Sequence, residues 1–476
     1  MKAPVILWLR QDLRLADHSA LCAAAARGPV IFLYVLDDKT PGAWAMGAAS
    51  RWWLHRGLES LARRVPLLLR RGPADRVIAE VLHGTGAAAV YFTRDYAPWS
   101  AALERRVKQV CEAAGAACHR HGGFLLHEPE SIRTGQGEPY RVYTPFARAC
   151  LAAGEPQPPR PVPDFTPWTA TVRGDALPDW ELLPDRPNWA VGFESAWQPG
   201  EEGARRRLSE FIAGGLSRYA GERDRPDRDV TSRLSAHLHF GEVSPAQCWH
   251  AVRAAQFAAG GRLDDAAEKF LKEMLWREFS CHLLHHWPEL PERPFKPGFA
   301  QFPWADNPDA LAAWQRGMTG YPIVDAGMRQ LWSTGTMHNR VRMIVASFLI
   351  KHLLIPWTEG ERWFWDTLAD ADIASNAASW QWVAGCGADA APYFRIFNPV
   401  LQGEKFDPQG SYVRRWVPEL AGLSGGYIHK PWEAPRTVLH QTGIELGRDY
   451  PHPVVGHAMA RNRALAALKA MKGDGT

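Results

Sequence analysis

Long apolar runs, clustered cysteines and an excess of one charge are all missing from this chain. No stretch nears the roughly 18 consecutive apolar residues of a membrane-spanning helix, so no membrane partner is expected. Cysteine is scarce: seven of 476 residues, at Cys22, Cys111, Cys118, Cys150, Cys248, Cys281 and Cys386, with no Cys-x-x-Cys pair. That scatter argues against a zinc or iron–sulfur site, so no metal is expected. An odd count without a framework fits a reducing, cytoplasmic location. No Gly-x-Gly-x-x-Gly follows the first apolar run, which removes the usual dinucleotide fingerprint. That first run is followed at once by Arg10, Asp12 and Arg14, which reads as a strand and not as a signal peptide. The net charge of +4 is mildly basic and permits a nucleic-acid partner without requiring one. What is abundant is tryptophan, with 22 residues. An indole offers a flat π-face and one N–H, useful for stacking on bases or flavins but equally at home in a large core.

Along the chain the pattern changes twice. Residues 1–128 alternate apolar or β-rich runs (5–9, 30–36, 66–69, 88–92, 117–119) with Ala- and Leu-rich stretches (20–26, 51–64, 74–83, 101–114). This predicts an α/β domain built on a Rossmann-like parallel sheet, with ligands beyond the carboxyl ends of the strands. Residues 129–200, dense in proline after 155, read as an irregular connector. Residues 201–476 read as an all-helical domain, with residues 472–476 as a frayed tail.

Four segments of the helical part carry chemistry. In 370–382, a helix from Asp372 onward puts Asp372, Asn376 and Trp380 on one face at i, i+4, i+8. Trp382 then points about 200° away from Trp380. In 231–241, Thr231, Ser232 and Ser235 place hydroxyls at a helix start, which suits phosphate or simple capping. Tyr219 lies upstream, and Arg223, Arg225 and Arg228 are expected to make the intervening loop basic. In 272–279, Glu273 and Trp276 share a face, suiting a planar base-sized ligand, or else Glu273 pairs with Arg277. In 336–343, Asn339 and Met343 share a face while Arg340 and Arg342 are placed to reach phosphates.

These segments in this order, with Trp-Leu-Arg-Gln-Asp-Leu-Arg-Leu at 8–15 and Ala-Pro-Tyr-Phe-Arg-Ile-Phe-Asn-Pro from 391, resemble the photolyase/cryptochrome family of blue-light flavoproteins, in particular class I cyclobutane pyrimidine dimer photolyases. The resemblance implies an N-terminal antenna domain and a helical domain holding FAD. It places Tyr219, Thr231, Ser232, Arg233, Leu234 and Ser235 at the FAD phosphates. Arg277, Asp370 and Asp372 fall on the rest of the cofactor, and Asn376 beside flavin N5. Trp380, Trp357 and Trp304 match the family's electron relay. Glu273, Trp276, Asn339, Met343 and Trp382 match the cavity for a flipped-out cyclobutane dimer, and the (6-4) enzymes' His pair is replaced by Asn339 and Met343. Arg223, Arg340, Arg342 and Arg395 would hold the backbone of UV-damaged DNA. The chain departs from the family at Thr336, Phe270, Ala377, Ala378 and Ser379. For a second, antenna chromophore, Pro98-Trp99 stands where folate-binding relatives carry Asn-Glu. Arg51 and Asp95 resemble instead the deazaflavin type, whose pocket also suits FMN; a Lys of those relatives falls at His239. A monomeric repair enzyme is implied, with a cryptochrome-type photoreceptor as the rival.

Overall fold

The computed structural model describes residues 2–169, 172–390 and 394–473. Five parallel strands form one sheet: β1 (Val5–Leu9), β2 (Val30–Leu36), β3 (Leu67–Arg71), β4 (Ala89–Thr93) and β5 (Ala117–His121), in the order β3-β2-β1-β4-β5. Between them run α1 (Ser19–Arg27), α2 (Ala48–Ala62), α3 (Ala74–Thr85) and α4 (Ser100–Ala113). The expected α/β class is therefore found, with element ends displaced by less than a turn. Every residue of β1 is buried, because helices cover both faces of a parallel sheet, and the strand reads as one apolar run. Alternate side chains enter opposite layers. Val5, Leu7 and Leu9 pack with Leu21 and Trp53 of α1 and α2, while Ile6 and Trp8 pack with Ile78 and Val107 of α3 and α4. Strand order reverses between β1 and β4, which is where such sheets bind ligands.

Among its described residues the expected connector 129–200 carries one ten-residue helix, Tyr143–Ala152, and in its proline-rich part only the short elements Leu177–Trp180 and Val191–Ala196. It is nevertheless anchored. Trp180, Leu182 and Phe193 are buried in the same layer as Val5 and Leu7, and Trp168 N–H donates to the Val30 carbonyl at 2.8 Å. By its internal contacts the chain divides into two compact units. The first comprises Met1–Ala220, Thr231–Pro288 and Ala369–Ala374; the second comprises Gly221–Val230, Glu289–Leu368 and Ser375–Thr476. No strand follows β5 among the described residues, in keeping with the helical pattern expected there. The last helix, His457–Gly473, runs into the expected tail, of which 474–476 lie outside the described residues.

Candidate functional site

In the first unit, the loop 231–234 is pinned from behind. Arg207 donates to the carbonyls of Thr231 (2.9 Å) and Ser232 (3.0 Å). Arg233 takes a left-handed conformation, φ +50°, uncommon for a residue with a Cβ. The helix that follows, Ser235–His239, has only five residues, and its N-cap is Leu234 without a side-chain bond. The expected hydroxyl caps are thus not made: Ser232 Oγ instead accepts the Leu234 N–H at 3.4 Å, a local turn that competes with capping. Tyr219 is buried against Phe211 (5.6 Å) and Phe270 (5.8 Å), both edge-on. Phe270, one of the departures from the family pattern, therefore packs directly on a proposed cofactor residue.

His239, expected from the resemblance beside an antenna chromophore, lies instead at the end of the short helix against Asp372, its Nδ1 3.9 Å from Asp372 Oδ2 and without a hydrogen bond among the described residues. Arg277 sits on the helix Asp264–His286, its guanidinium 4.2 Å over the Phe124 ring and Nη1 donating to the Phe124 carbonyl at 2.9 Å. Its Nη2 is buried and unpartnered among the described residues. Buried Cys281 lies in the field of both Asp372 and Arg277, so these groups share one neighbourhood. Buried polar atoms left without partners call for a ligand. A cation and an imidazole beside a carboxylate fit a polar, phosphate-bearing cofactor such as FAD.

Half-buried Glu273 stands one turn before Arg277 on the same helix, and half-buried Trp276 directly before it. The Trp276 ring is stacked on Tyr143, with centroids 3.6 Å apart and planes 7° from parallel. One face of the indole is therefore already taken, and Phe279 stands edge-on to the ring at 5.9 Å. Nothing in the local spacing signals Tyr143, which is remote in sequence. Arg277 lies 3.6 Å from Glu278, which also accepts the backbone N–H groups of Leu126 and His127 at 2.9 and 3.0 Å. Burial pushes Glu278 up to about 7 against the pull of Arg277 and these donors. Glu278 was not singled out in the sequence, because only the fold removes it from water.

In the second unit, Asn376 and Trp380 stand one turn apart on the helix Ile373–Ala384, and both are buried. Asp372 precedes this helix by one residue. Asn376 Nδ2 donates to the Glu361 carbonyl at 2.9 Å. That acceptor demands the N–H end, so Oδ1 is the end left to receive a hydrogen bond. The Trp380 indole seats on Gly360, where a Cβ would lie 2.1 Å from Cη2. It meets Phe364 at 5.0 Å and Trp314 at 6.3 Å, both nearly perpendicular. Gly360 and Phe364 belong to the helix Trp357–Thr367, so Trp357 opens the very helix that holds Trp380. Trp304 contacts Phe302 at 4.4 Å. Exposure rises along the expected relay: Trp380 2%, Trp357 4%, Trp304 partly exposed. Sequence reading missed Gly360, although a glycine inside a helical pattern signals close approach. It also missed fully buried Trp314 and Glu361. The carboxyl of Glu361 has no partner among the described residues, and burial holds it well above the usual carboxylate range.

Asn339 and Met343 stand at i, i+4 on the helix Asn339–Ser347, as expected. Arg340 is tied to Asp224 at 2.9 Å and lies 4.5 Å over Phe406, while Arg342 Nε donates to the Met337 carbonyl at 2.8 Å. The loop holding Arg223 is not basic overall. Arg225 forks onto Asp227 (2.8 and 2.7 Å), Arg228 lies 3.5 Å from the same carboxylate, and Asp224 and Asp229 complete the balance. Counting arginines alone overlooked the interleaved aspartates. Trp382 is half-buried and Arg395 exposed, whereas 391–393 of the segment that includes Arg395 lie outside the described residues. Glu273 and Trp276 belong to the first unit; Asn339, Met343, Trp382 and Arg395 belong to the second.

The two antenna residues belong to two ion-pair networks, and Arg51 and Arg10, the partner of Asp95, both lie in the field of buried Tyr34. Arg51 binds Asp38 at 2.5 Å and the Met46 carbonyl at 2.8 Å, next to the end of β2. Asp95, after β4, binds Arg10 at 3.1 Å, and Arg10 also holds Glu104 at 2.7 Å. Both clusters lie at carboxyl ends of strands, where ligands are expected. Pro98 is exposed and Trp99 precedes the first turn of α4.

A five-stranded parallel sheet with its helices, a helical remainder, unpartnered buried polar atoms and several buried tryptophans fit a flavoprotein of the photolyase type. Comparison with known proteins is in accord. Residues 5–164 match the DNA photolyase family model, and residues 270–470 match the FAD binding domain of DNA photolyase. A deoxyribodipyrimidine photo-lyase of Agrobacterium fabrum is 51% identical over 99% of this chain and 98% of its own. Cryptochrome-1 of Arabidopsis thaliana is 39% identical over 98% of this chain and 70% of its own. The crystal structure of a bacterial class III photolyase from Agrobacterium tumefaciens superposes with a TM-score of 0.95 at 50% identity, covering 99% of this chain and 98% of that one. The chain belongs to the photolyase/cryptochrome family. That solved neighbour is of class III, whereas the motifs by themselves resembled class I.

Proposed function

We propose that this protein is a light-driven repair enzyme that splits cyclobutane pyrimidine dimers in DNA. The observation that carries the proposal is the placement of Asn376 and Trp380 one turn apart, with Trp380 seated on the helix that begins at Trp357. Arg277, His239 and Asp372 would hold FAD, together with Tyr219, Asp370 and the loop 231–235. Bound FAD, reduced and excited by light, supplies one electron to the dimer. The two bonds joining the pyrimidines break, and the electron returns, so that the reaction has no net redox change. Asn376 presents Oδ1 as an acceptor to the flavin edge. Trp380 would give up an electron towards the cofactor, with Trp357 refilling Trp380 and Trp304 refilling Trp357, so that the positive charge would end on partly exposed Trp304, where an external reductant in solution can neutralise it. By the family resemblance, Glu273 and Trp276, with Asn339, Met343 and Trp382, would receive the flipped-out dimer. Arg223, Arg340, Arg342 and Arg395 would meet phosphates, a contribution that weakens with salt. In the antenna unit, Arg51 and Asp95 favour a deazaflavin or FMN over folate as second chromophore. The monomeric state and cytoplasmic location expected from the sequence are retained as part of the proposal.

The test is to illuminate the reduced protein with dimer-containing DNA and count restored thymines. The 39% identity to a cryptochrome sustains one rival, a photoreceptor without repair activity. Photoreduction of bound FAD with no thymine restored would decide for that rival.

A further inference from the structure

We infer that Ser347 and Lys351 are positioning residues that latch the segment 394–397, and with it Arg395, to the wall that carries Trp382. Trp382 and Arg395 enter as DNA contacts only through the function proposed above. Asn339, Met343, Ser347 and Lys351 recur every fourth residue. The first three lie on the helix Asn339–Ser347, and Lys351 lies on the wider π-turn Phe348–His352 that continues it. An α-helix drifts by about 40° over four residues, and a wider turn reduces that drift, so the four form one stripe. The stripe runs inward from exposed Asn339, through half-buried Met343, to buried Ser347 and Lys351.

At its inner end two bonds reach the same segment. Lys351 Nζ donates to the Arg395 carbonyl, and Ser347 Oγ accepts the Phe397 N–H at 3.4 Å. Lys351 Nζ also lies 4.5 Å from the Phe394 ring centroid. Ser347, Lys351, Trp382, Val383, Gly385 and Arg395 line one small cavity. The stripe from Asn339, the end of the Trp382 helix and the Arg395 segment thus meet at one amine. Residues 394–397 form no helix or strand, so a carbonyl there needs a side-chain donor once buried. A lysine that only filled space would be better replaced by an apolar residue of equal length, because burying an amine is costly.

The groups around Lys351 are the Arg395 guanidinium, the Ser347 hydroxyl, Cys386, whose thiol burial pushes up to about 12 and so keeps uncharged, His352, which burial brings down to about 3 and so keeps neutral, and Lys296, which donates to the Gly385 carbonyl of the same cavity at 3.4 Å. Burial first, then Arg395, brings Lys351 down to about 7. A phosphate brought to Arg395 offsets that repulsion, and Lys351 then holds its proton more firmly. DNA binding is therefore linked to proton uptake, and affinity falls as pH rises.

The experiment compares FAD-loaded parent, Lys351→Met and Ser347→Ala. Binding of dimer-containing and undamaged oligonucleotides is followed by fluorescence anisotropy, from one unit below to one unit above the Lys351 value of about 7. Repair by pre-reduced protein is measured at saturating DNA. The expected result is weaker binding in both variants, roughly tenfold for Lys351→Met, the scale of one or two lost polar contacts. Repair per bound complex should stay at the parent rate. The parent's affinity should fall with pH by no more than tenfold per unit, the limit for one proton, and Lys351→Met should lose that slope. Parental affinity and slope in Lys351→Met would overturn the latch. If that variant fails to fold or take up FAD, Ser347→Ala decides, and parental affinity there overturns it equally. A parent that shows no preference for dimer DNA would sink the proposed substrate instead; the latch is then judged on undamaged DNA, through Arg395.

Discussion

Adding one methyl group at Gly360 should disable the electron relay proposed for Trp380. A Cβ there would stand 2.1 Å from Trp380 Cη2, 2.5 Å from Cζ3 and 2.6 Å from Cζ2. Carbon atoms rest about 3.5 Å apart or more, so the indole must retreat by roughly 1.4 Å. It has little room, since Trp380 is 2% exposed and boxed by Phe364 and Trp314. Overpacking of this kind costs roughly 1–3 kcal/mol, and each kcal/mol lowers the melting temperature of a unit this size by on the order of 2–4 °C. Gly360→Ala should therefore melt several degrees lower. It should photoreduce oxidised FAD more slowly, yet repair dimers normally once reduced chemically. The assays are thermal unfolding, flavin absorbance under blue light, and thymine restoration by pre-reduced protein. A double-mutant cycle gives the decisive control: in a Trp380→Phe background the smaller ring relieves the clash, so Gly360→Ala should cost less. A Gly360→Ala protein that melts and photoreduces like its parent would refute the packing argument. So would an equal cost in both backgrounds.

Trp380→Phe alone should block photoreduction of oxidised FAD and spare repair by pre-reduced protein, because Phe keeps most of the packing but is far harder to oxidise; flavin bleaching under blue light measures it. Glu273→Ala should weaken binding of dimer-containing DNA by about 1–3 kcal/mol while leaving FAD bound and undamaged DNA unaffected; an equal loss on both DNAs in filter binding would show a structural role. Glu278→Gln tests burial. The folded-state value of Glu278 is raised from 4.5 to about 7, so its contribution to stability is complete below 4.5 and is lost as pH rises through about 7. That loss amounts to about 3 kcal/mol at 1.36 kcal/mol per unit, and the variant, which keeps an acceptor for Leu126 and His127, should show a flatter stability profile in urea titrations over that window. Denaturation of purified protein should release non-covalent FAD; well-folded protein that never takes up flavin would defeat the cofactor assignment.

Much of this was legible because the signals are local. β1 reads as an unbroken apolar run since both of its faces are covered, and the spacing of Asn376 and Trp380 follows from helical periodicity alone. The succession of motifs supplied the family without reference to any contact. Local rules failed where a neighbour remote in sequence intervened. Thr231 and Ser232 look like capping residues, yet Arg207 draws their carbonyls into an uncapped loop. Arg223, Arg225 and Arg228 make their loop look basic, yet Asp227 binds Arg225 and lies 3.5 Å from Arg228. Trp276 looks like an open stacking platform, but Tyr143 covers one face.

What composition and periodicity determined by themselves were the order of elements and their inward faces, since each depends on bonds and spacings within a few turns; most candidate residues came with the family resemblance. Tertiary structure alone decided which polar groups lose water and which rings touch. Burial raises Glu278 and lowers Lys351, and a missing side chain at Gly360 admits Trp380. The physical reason is that desolvation and steric exclusion depend on every atom nearby in space, whatever its distance along the chain.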